Sequence, residues 1–531
     1  MAWVGVGSGG WLVEFYDLKR PLPTAGDCLA DEVGDVLARA RRNGARHRTP
    51  FLIPADERLP DPRINLYFRK SKIVSKQPST WRRYAYSLAV WLGFLDTVGV
   101  SWDEATGEDY TDFKFWRITD VSNDERIEPT SFDTDRAALN SFYSWAGPLY
   151  GCINPVVTGD ILGTADPVDT SPAQGRRDPA RPAGSTRRRV KWLLRGAFEQ
   201  WRDIGFRGYG FDGLRADGWR GAHEDRDCSF VDGLYGTGLR LAEWGSVLDV
   251  ELSSVDAVGR FPRAYLARAC AKGKREGREY RVPAGVVQSV AGYMDPIEGS
   301  RAEAVRRARR AGRYERVVGL KIVTRFSAQA RTLTVLTAEG SSVLSLDALD
   351  AEERLLLFRQ TPRGLEPLAV WLGVNGMPML AHSWEKRFTE ANKRVAAAWE
   401  RAGGRGTVPL FCRPHMCRHS FALRWFSILS LVWNRRVEGF SEAELREFRD
   451  QFGDVWFQLA GLLGHANPQT TKDWYLEPFT ALERDYLMSL LDDDEHAAVS
   501  RLAERIGATS DRVLRRVGAD ASGRRVGQVR S

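Results

Sequence analysis

Histidine and arginine side chains at helical spacing, followed by a tyrosine, are the residues of this 531-residue chain best suited to chemistry. His415 and Arg418 are three positions apart, so on a helix they share a face and can converge on one group. A guanidinium can hold two phosphate oxygens at once, which suits Arg418 to a phosphoryl group that gathers negative charge during reaction. His465 and Tyr475 follow. This order of groups indicates phosphodiester chemistry with a tyrosine nucleophile.

A second arginine lies upstream, in the segment 235–243. Its glycines predict a turn, after which Leu241, Trp244 and Leu248 begin an apolar helical stripe. Arg240 would therefore stand at the start of a helix, close to the positive end of the helix dipole, where an anion is favoured.

Four separated motifs together resemble the catalytic signature of the tyrosine recombinase, or phage integrase, family: Thr237-Gly238-Leu239-Arg240-x-x-Glu243, His415-x-x-Arg418-His419, Leu463-Gly464-His465 and Tyr475. The resemblance covers roughly residues 195–478. It implies that Arg240 and Arg418 clamp the scissile phosphate, that His415 and His465 are its hydrogen-bonding and proton-handling partners, and that Tyr475 is the nucleophile. Glu243 would support them.

The family also uses a lysine on a β-hairpin as general acid toward the leaving 5′ oxygen. The segment 271–283 resembles that hairpin, because a Lys/Gly/Arg turn is followed by a Val-Pro pair and a helical stretch. Lys272 aligns best with the family's lysine. Lys274 is the alternative, because the turn is longer than in the commonest members.

Other readings of these residues stay open at this point. Cys412, His415, Cys417 and His419 could bind zinc, although their spacing is unlike the paired Cys-x-x-Cys knuckles of structural sites. His419 could be a buried, hydrogen-bonded core histidine, so it is left out of the predicted catalytic set. No metal or other cofactor is expected, because a covalent phosphotyrosine conserves the energy of the broken bond.

The expected fold is mainly α-helical with a small β-sheet, an α+β class. Apolar stripes predict helices over 79–95, where Ser79 or Thr80 would cap the first turn, and through 110–116 and 139–145. The resemblance implies a helical SAM-like core-binding domain and a catalytic domain that form a C-shaped clamp on DNA. The predicted boundaries are an N-terminal extension at 1–65, the core-binding domain at 66–150, a linker at 151–190, the catalytic domain at 191–490 and a basic tail at 491–531.

Two insertions are expected within the catalytic domain. Arg418 and His465 are further apart than in many family members, and the surplus is the charged stretch 434–450. The second insertion spans 284–377, where 301–316 is predicted as a basic helix and 320–336 as β-rich sequence. Neither insertion interrupts a motif.

Composition agrees with a nucleic-acid partner, with 77 Lys+Arg against 69 Asp+Glu and a pI of about 9.2. Local basic runs, such as 187–191 and 306–310, could line a phosphate backbone, or could equally be solvated surface. By resemblance the partners are double-stranded DNA carrying recombination sites and three further copies in a synaptic homo-tetramer. An excisionase or DNA-bending accessory protein is a further expected partner.

The six cysteines are scattered, and no stretch approaches the ~20 apolar residues that span a bilayer, so a cytoplasmic, nucleoid-associated protein without membrane contact is expected. The expected activity is site-specific DNA recombination that integrates or excises a mobile element. The alternatives are type IB topoisomerase-like cleavage and religation, and a DNA-binding module with a degenerate site.

Overall fold

The structure is a computed structural model, and it describes residues 10–18, 38–56, 59–156, 191–221, 223–252, 261–271, 276–337, 340–465, 467–472 and 475. Helices predominate there and the strands form small sheets, which confirms the predicted α+β class. The chain divides into two compact units, residues 1–188 and 189–531. Most of the predicted linker and the whole basic tail lie outside the described residues.

Unit 1 is a helical domain with a short hairpin. Its main described elements are β1 (Trp11–Phe15), β2 (Pro50–Pro54), α1 (Pro62–Lys70), α2 (Pro78–Val98), α3 (Gly107–Ile118) and α4 (Pro129–Tyr150). The helices predicted at 79–95, 110–116 and 139–145 are confirmed. The predicted cap is wrong: α2 begins at Pro78 after Gln77, because proline is readily accepted in a first helical turn.

Aromatic residues fill the core of unit 1. The Trp91 indole donates to Tyr143 Oη at 2.9 Å, and that hydroxyl donates to the Trp102 carbonyl at 2.7 Å, so the buried polar atoms are satisfied. The hairpin belongs to the same core, since Leu52 is fully buried and its main chain exchanges two hydrogen bonds with the Asn65 amide. Part of the predicted N-terminal extension therefore packs with the helices.

Unit 2 contains all the predicted catalytic residues. Its main described elements are α5 (Arg195–Arg207), α6 (Glu224–Thr237), α7 (Leu241–Gly245), β3 (Arg263–Leu266), β4 (Arg278–Arg281), α8 (Ala284–Met294), α9 (Ser300–Arg310), β5 (Lys321–Ser327), β6 (Thr332–Thr337), β7 (Gly340–Ser345), α10 (Ala351–Arg354), β8 (Leu357–Thr361), β9 (Gly364–Pro367), α11 (Ala381–Arg401), α12 (Pro414–Val437), α13 (Glu442–Phe452) and α14 (Val455–Leu463).

Buried phenylalanine and tryptophan side chains join the helices of unit 2. The Phe230 ring of α6 stacks on Trp384 of α11 with centroids 3.4 Å apart. The Trp244 indole donates to the Phe230 carbonyl, and Trp371 donates to the Trp244 carbonyl, both at 3.0 Å. The apolar stripe predicted from Leu241 is helical only to Gly245, and Leu248 instead pairs with Ala369 beside the inserted sheet. Trp244 thus fixes the short helix α7 to the core.

The predicted hairpin is present. Strands β3 and β4 pair antiparallel, with Arg263 opposite Arg281, and Val282 and Pro283 lead into α8. Lys272 and Lys274 lie in the connection between these strands, outside the described residues.

The insertion predicted at 284–377 forms the helices α8, α9 and α10 and a five-stranded sheet of order β7-β6-β5-β8-β9, in which only the β5–β8 pair is parallel. The predicted basic helix is confirmed, although it ends at Arg310 rather than 316. Buried Arg354 anchors the sheet: it donates to Glu251 Oε2 at 2.5 Å and to the Leu346 carbonyl at 3.0 Å.

The charged stretch at 434–450 covers the end of α12 and most of α13. Ser441 begins α13 with a capping box, in which its hydroxyl and the Glu444 carboxylate satisfy each other's main-chain N–H groups. Among the described helices, none is both long and apolar enough to cross a bilayer.

The Phe230–Trp384 stack gives a prediction for the stability of unit 2. Phe230→Ala should lower the free energy of unfolding by about 3–5 kcal/mol, because it leaves a cavity in a fully buried aromatic cluster. Phe457→Ala, at a ring that is 58% exposed, should change it by no more than about 0.5 kcal/mol. Urea unfolding followed by tryptophan fluorescence measures both, and equal losses would contradict the described core.

Candidate active site

Arg240 and Glu243 are held together by the start of α7. Helix α6 ends at Thr237, Gly238 turns the chain, and Arg240 precedes the first residue of α7. The Glu243 carboxylate accepts from the Arg240 main-chain N–H at 2.9 Å and from its Nη1 at 2.8 Å. This carboxylate therefore fixes both the backbone and the side chain of Arg240.

Glycine is required at 238 for two reasons. Its φ of +65° lies in the left-handed region, and a Cβ atom there would overlap the ring of Phe421 on α12. The turn that precedes Arg240 can consequently lie directly against α12.

Arg418 is 3% exposed and joins three motifs. Its Nη1 donates to the Gly238 carbonyl at 2.6 Å and its Nη2 to the Leu463 carbonyl at 2.5 Å. Burial, followed by repulsion from Arg240, lowers the pKa of Arg418 to about 10, and attraction from Glu243 opposes this. The guanidinium is therefore still charged at neutral pH.

Arg278 on β4 is a further arginine of the site. Its Nη1 donates to the Leu462 carbonyl at 2.9 Å, and its Nη2 lies 3.4 Å from Glu243 Oε2. Gly464 lies directly on this guanidinium: its φ is +64°, and a Cβ atom at that position would overlap Arg278. Arg278 and Arg418 thus bind consecutive carbonyls at the C-terminal end of α14, where the helix dipole favours cations.

Glu243 is the carboxylate shared by these arginines. Burial alone would raise the pKa of Glu243, but Arg240, Arg278 and Arg418 outweigh it and hold the pKa below its usual value. The three guanidiniums and one carboxylate leave a net charge of about +2, which suits an anionic ligand.

Tyr475 meets His419 in the interior of this cluster. The Tyr475 hydroxyl lies 2.8 Å from His419 Nδ1, and the two rings meet edge to face. Tyr475 is 2% exposed, among Phe421 and Leu463. Burial raises the pKa of Tyr475 to about 12, although Arg418 and Arg240 lower it. The phenol is neutral in this state.

His419 is neutral as well. Burial, and then repulsion from His415, Arg418 and His465, lowers the pKa of His419 to about 3. If the proton is on Nε2, then Nδ1 accepts the hydrogen bond from the phenol. The sequence also suggests that His419 is a buried, hydrogen-bonded core histidine. The side chain is hydrogen-bonded but only half-buried, and its partner is the predicted nucleophile.

The other two histidines flank this pair. His465 Nδ1 lies 2.7 Å from the Thr471 hydroxyl, which orients the ring. The His415 ring is stacked 6.2 Å from that of His419, one helical turn away on α12. His415 and Arg418 do share a helix face, as their spacing predicts.

A cavity of about 1040 Å³ opens beside these residues. Arg240, His415 and Arg418 line it, and so do the cations Arg413 and Lys393. The Glu385 carboxylate lines the cavity as well, but four cations outweigh it, so the net positive charge and the volume of the cavity suit a phosphodiester.

The structure thus brings Arg240, His415, Arg418, His465 and Tyr475 into one cluster, while Lys272 lies outside the described residues. Two neighbours were not in the predicted set. His419 was detectable from its position next to Arg418, and Arg278 only from its place on the predicted hairpin.

The cysteines that had suggested zinc face each other instead. Cys412 Sγ lies 3.7 Å from Cys417 Sγ in the core, and burial raises the pKa of Cys412 well above its usual value. No group of three or more metal-ligating side chains occurs within the described ranges.

No family model and no curated protein matches the sequence. Solved structures do match. They include the Tn1549 transposon integrase (residues 82–397) with circular-intermediate DNA, at 14% identity and a TM-score of 0.34, over 74% of this chain and 89% of that chain. XerH site-specific recombinase in a pre-cleavage complex with difH substrate matches at 11% identity and a TM-score of 0.35, over 86% of this chain and 90% of that chain. XerA recombinase matches at 12% identity and a TM-score of 0.24, over 87% of this chain and 98% of that chain. The matched structures are tyrosine recombinases and integrases.

The depressed pKa of His419 links stability to pH. Between about pH 3 and 6.5 the unfolded chain binds a proton at His419 that the folded chain does not, so the contribution of His419 is present above pH 6.5 and is lost as pH falls toward 3. His419→Gln should reduce the loss of unfolding free energy per pH unit by up to about 1.4 kcal/mol in that window. Urea unfolding between pH 4.5 and 7.5 measures this, with His382→Gln, at an exposed histidine, as control. Identical slopes in wild type and His419→Gln would contradict a neutral His419 in the folded chain.

Proposed function

We propose that this chain is a DNA strand-transfer enzyme of the tyrosine recombinase type. The observation that carries the proposal is the Tyr475 hydroxyl, 2.8 Å from His419 Nδ1 and close enough to Arg418 and Arg240 for both to lower its pKa. A nucleophile, a proton acceptor and cations for the phosphate are the three groups that such chemistry needs.

Arg240 and Arg418 hold the scissile phosphate in this proposal. The two carbonyl contacts of Arg418 use two of its five N–H donors, and the cavity lies on the side of His415. Because Glu243 and two carbonyls already fix the guanidiniums, they need no rearrangement as charge develops on the phosphoryl oxygens.

The covalent step is a displacement at phosphorus. A bond forms between Tyr475 Oη and the phosphorus, the bond to the 5′ oxygen breaks, and a 3′-phosphotyrosine and a 5′ hydroxyl result. His419 takes the phenol proton. The leaving oxygen receives a proton from the lysine of the β3–β4 connection, with Lys272 as the first choice and Lys274 as the second.

The pKa values make proton transfer depend on DNA. In the described state, the pKa of about 3 makes His419 a weak base. A bound phosphodiester brings a negative charge beside the surrounding cations, which raises the pKa of His419 and makes it a better acceptor. Since Tyr475 is buried, DNA binding must also expose its hydroxyl to the phosphate.

The resemblance to the tyrosine recombinase family implies the rest of the reaction. A 5′ hydroxyl from a partner strand attacks the phosphotyrosine, and four copies of the chain on two DNA sites exchange both strand pairs, as integration or excision of a mobile element requires. Unit 1 serves as a SAM-like core-binding domain that also binds the duplex. A DNA-bending protein or an excisionase sets the direction.

Cleavage is tested with nicked suicide duplexes tiled across the DNA that flanks the gene. Wild type should form a covalent protein–DNA adduct on denaturing gels, whereas Tyr475→Phe should form none, because it lacks the attacking oxygen. Tyr209→Phe, outside the cluster, is the matched control and should behave as wild type. An adduct that persists in Tyr475→Phe would overturn the assignment of the nucleophile.

The products separate recombination from topoisomerase activity. A second labelled duplex carrying a 5′ hydroxyl should yield a recombinant strand. Relaxation of supercoiled plasmid without any recombinant strand would instead favour a type IB topoisomerase-like enzyme.

Gly464 gives a prediction about positioning. Gly464→Ala places a methyl group against Arg278 and should slow adduct formation by about tenfold to a hundredfold, because displaced groups lose alignment. Gly461→Ala, three residues earlier in α14, is the control: no heavy atom lies within 4 Å of the added carbon, so this variant should keep the wild-type rate. Single-turnover rates at saturating protein distinguish this loss from weaker DNA binding, and equal rates for the two variants would contradict the role of the Gly464–Arg278 contact.

A further inference from the structure

A groove of about 830 Å³ lies on the inserted segment, between α9 and the turn that joins β8 to β9. We call it the basic groove. Five arginines and one glutamate are its charged lining residues: Arg301, Arg306, Arg309, Arg310, Arg363 and Glu366.

The inner arginines build the groove. Arg301 is buried and donates to Glu366 Oε1 at 2.6 Å and to the Pro367 carbonyl at 2.6 Å. Arg309 donates to the Leu365 carbonyl at 2.7 Å and to the Gly364 carbonyl at 3.1 Å. These contacts fix the β8–β9 turn against α9, and the exposed side chain of Arg363 is part of that turn.

The outer arginines carry an excess of positive charge. Arg306, Arg307 and Arg310 are exposed and share one carboxylate, that of Glu303, at 3.1, 3.6 and 3.5 Å. One carboxylate can balance one of these charges, so about two remain, and Arg363 adds another at the turn.

Helix stability accounts for this arrangement only in part, although cations are favoured in the last turn of α9. Residues 306 and 310, and 307 and 310, are helical neighbours of like charge, which destabilise a helix by a few tenths of a kcal/mol per pair. Forked guanidiniums around an open groove are instead the arrangement that binds phosphate oxygens.

We infer that the basic groove is a second binding site for the phosphate backbone of duplex DNA, separate from the candidate active site. The choice of duplex DNA rests on the proposed function. The contacts would hold the duplex without reading its sequence, because they reach only phosphates.

Two hydrogen bonds connect the basic groove to the residues that surround the candidate active site. Arg301 Nε lies 3.3 Å from the Val370 carbonyl, and the adjacent Trp371 donates to the carbonyl of Trp244, the residue after Glu243. DNA held in the groove would therefore keep a fixed relation to Glu243 and its arginines.

The test is the salt dependence of DNA binding by the full chain. The groove variant is Arg306→Gln/Arg310→Gln/Arg363→Gln, and the control, Arg401→Gln/Arg446→Gln/Arg449→Gln, removes the same charge from other exposed positions of unit 2. Fluorescence anisotropy with a labelled duplex gives Kd between about 50 and 300 mM salt. The slope of log Kd against log salt should fall by about 2–3 in the groove variant, at about 0.9 per lost phosphate contact, and by less than about 1 in the control. Equal slopes for the two variants would overturn the inference. The same titration with a labelled single-stranded RNA would also overturn it, if the groove variant lowered the slope for that RNA and not for the duplex.

Two further measurements keep this inference separate from the proposed function. The groove variant should still form the Tyr475 adduct at saturating protein, since no groove residue contacts the active-site cluster. If the groove variant lowers the salt slope but wild type forms no adduct, the proposed function is wrong and the groove inference is supported. If wild type forms the adduct but the groove variant has the wild-type salt slope, the groove inference is wrong and the proposed function is supported. If the triple variant melts early, Arg363→Gln alone, at an exposed turn, should lower the slope by about 1.

Discussion

One buried carboxylate, that of Glu243, permits the whole cationic cluster. Three guanidiniums brought together out of water would repel one another strongly, and burial already lowers the pKa values of Arg278 and Arg418. Glu243 accepts from Arg240 and lies beside Arg278, so its negative charge offsets part of this repulsion and fixes the direction of both side chains. The net positive charge that remains is what a phosphate would neutralise. A bound phosphodiester would therefore stabilise the site as well as react in it.

Main-chain carbonyls supply the second constraint. Arg418 binds the carbonyls of Gly238 and Leu463, which are far apart in the chain, and Arg278 binds that of Leu462. Glycines at 238 and 464 allow the backbone to approach closely enough. Because these contacts all lie within one layer of packed helices and one hairpin, the chain can carry a five-stranded sheet between two motifs without separating them. The same sheet then provides the basic groove.

The Tyr475–His419 pair explains why such a site would be unreactive without DNA. Tyr475 is buried and His419 is half-buried, and their pKa values of about 12 and about 3 mean that neither gains or loses a proton near neutral pH. The cations that depress the basicity of His419 are the ones that a phosphate would offset. In the proposed reaction, substrate binding would control reactivity through this electrostatic effect and through exposure of the Tyr475 hydroxyl.

Apolar periodicity in the sequence determined the helices through Trp91, Phe113 and Phe142 and with them the α+β class, because periodicity is a local property of the chain. The motifs, through their resemblance to a known family, predicted the hairpin and the five residues that the structure brings into one cluster. Boundaries that depend on packing were not determined: α7 stops at Gly245 since Leu248 pairs with the inserted sheet, and α2 begins at Pro78. The partnership of His419 with Tyr475, and of Arg278 with Gly464, was decided only by the tertiary structure. Residues 56 or 186 positions apart carry no mutual signal in a single sequence, and only the packing of α12, α14 and the hairpin brings their atoms within bonding distance.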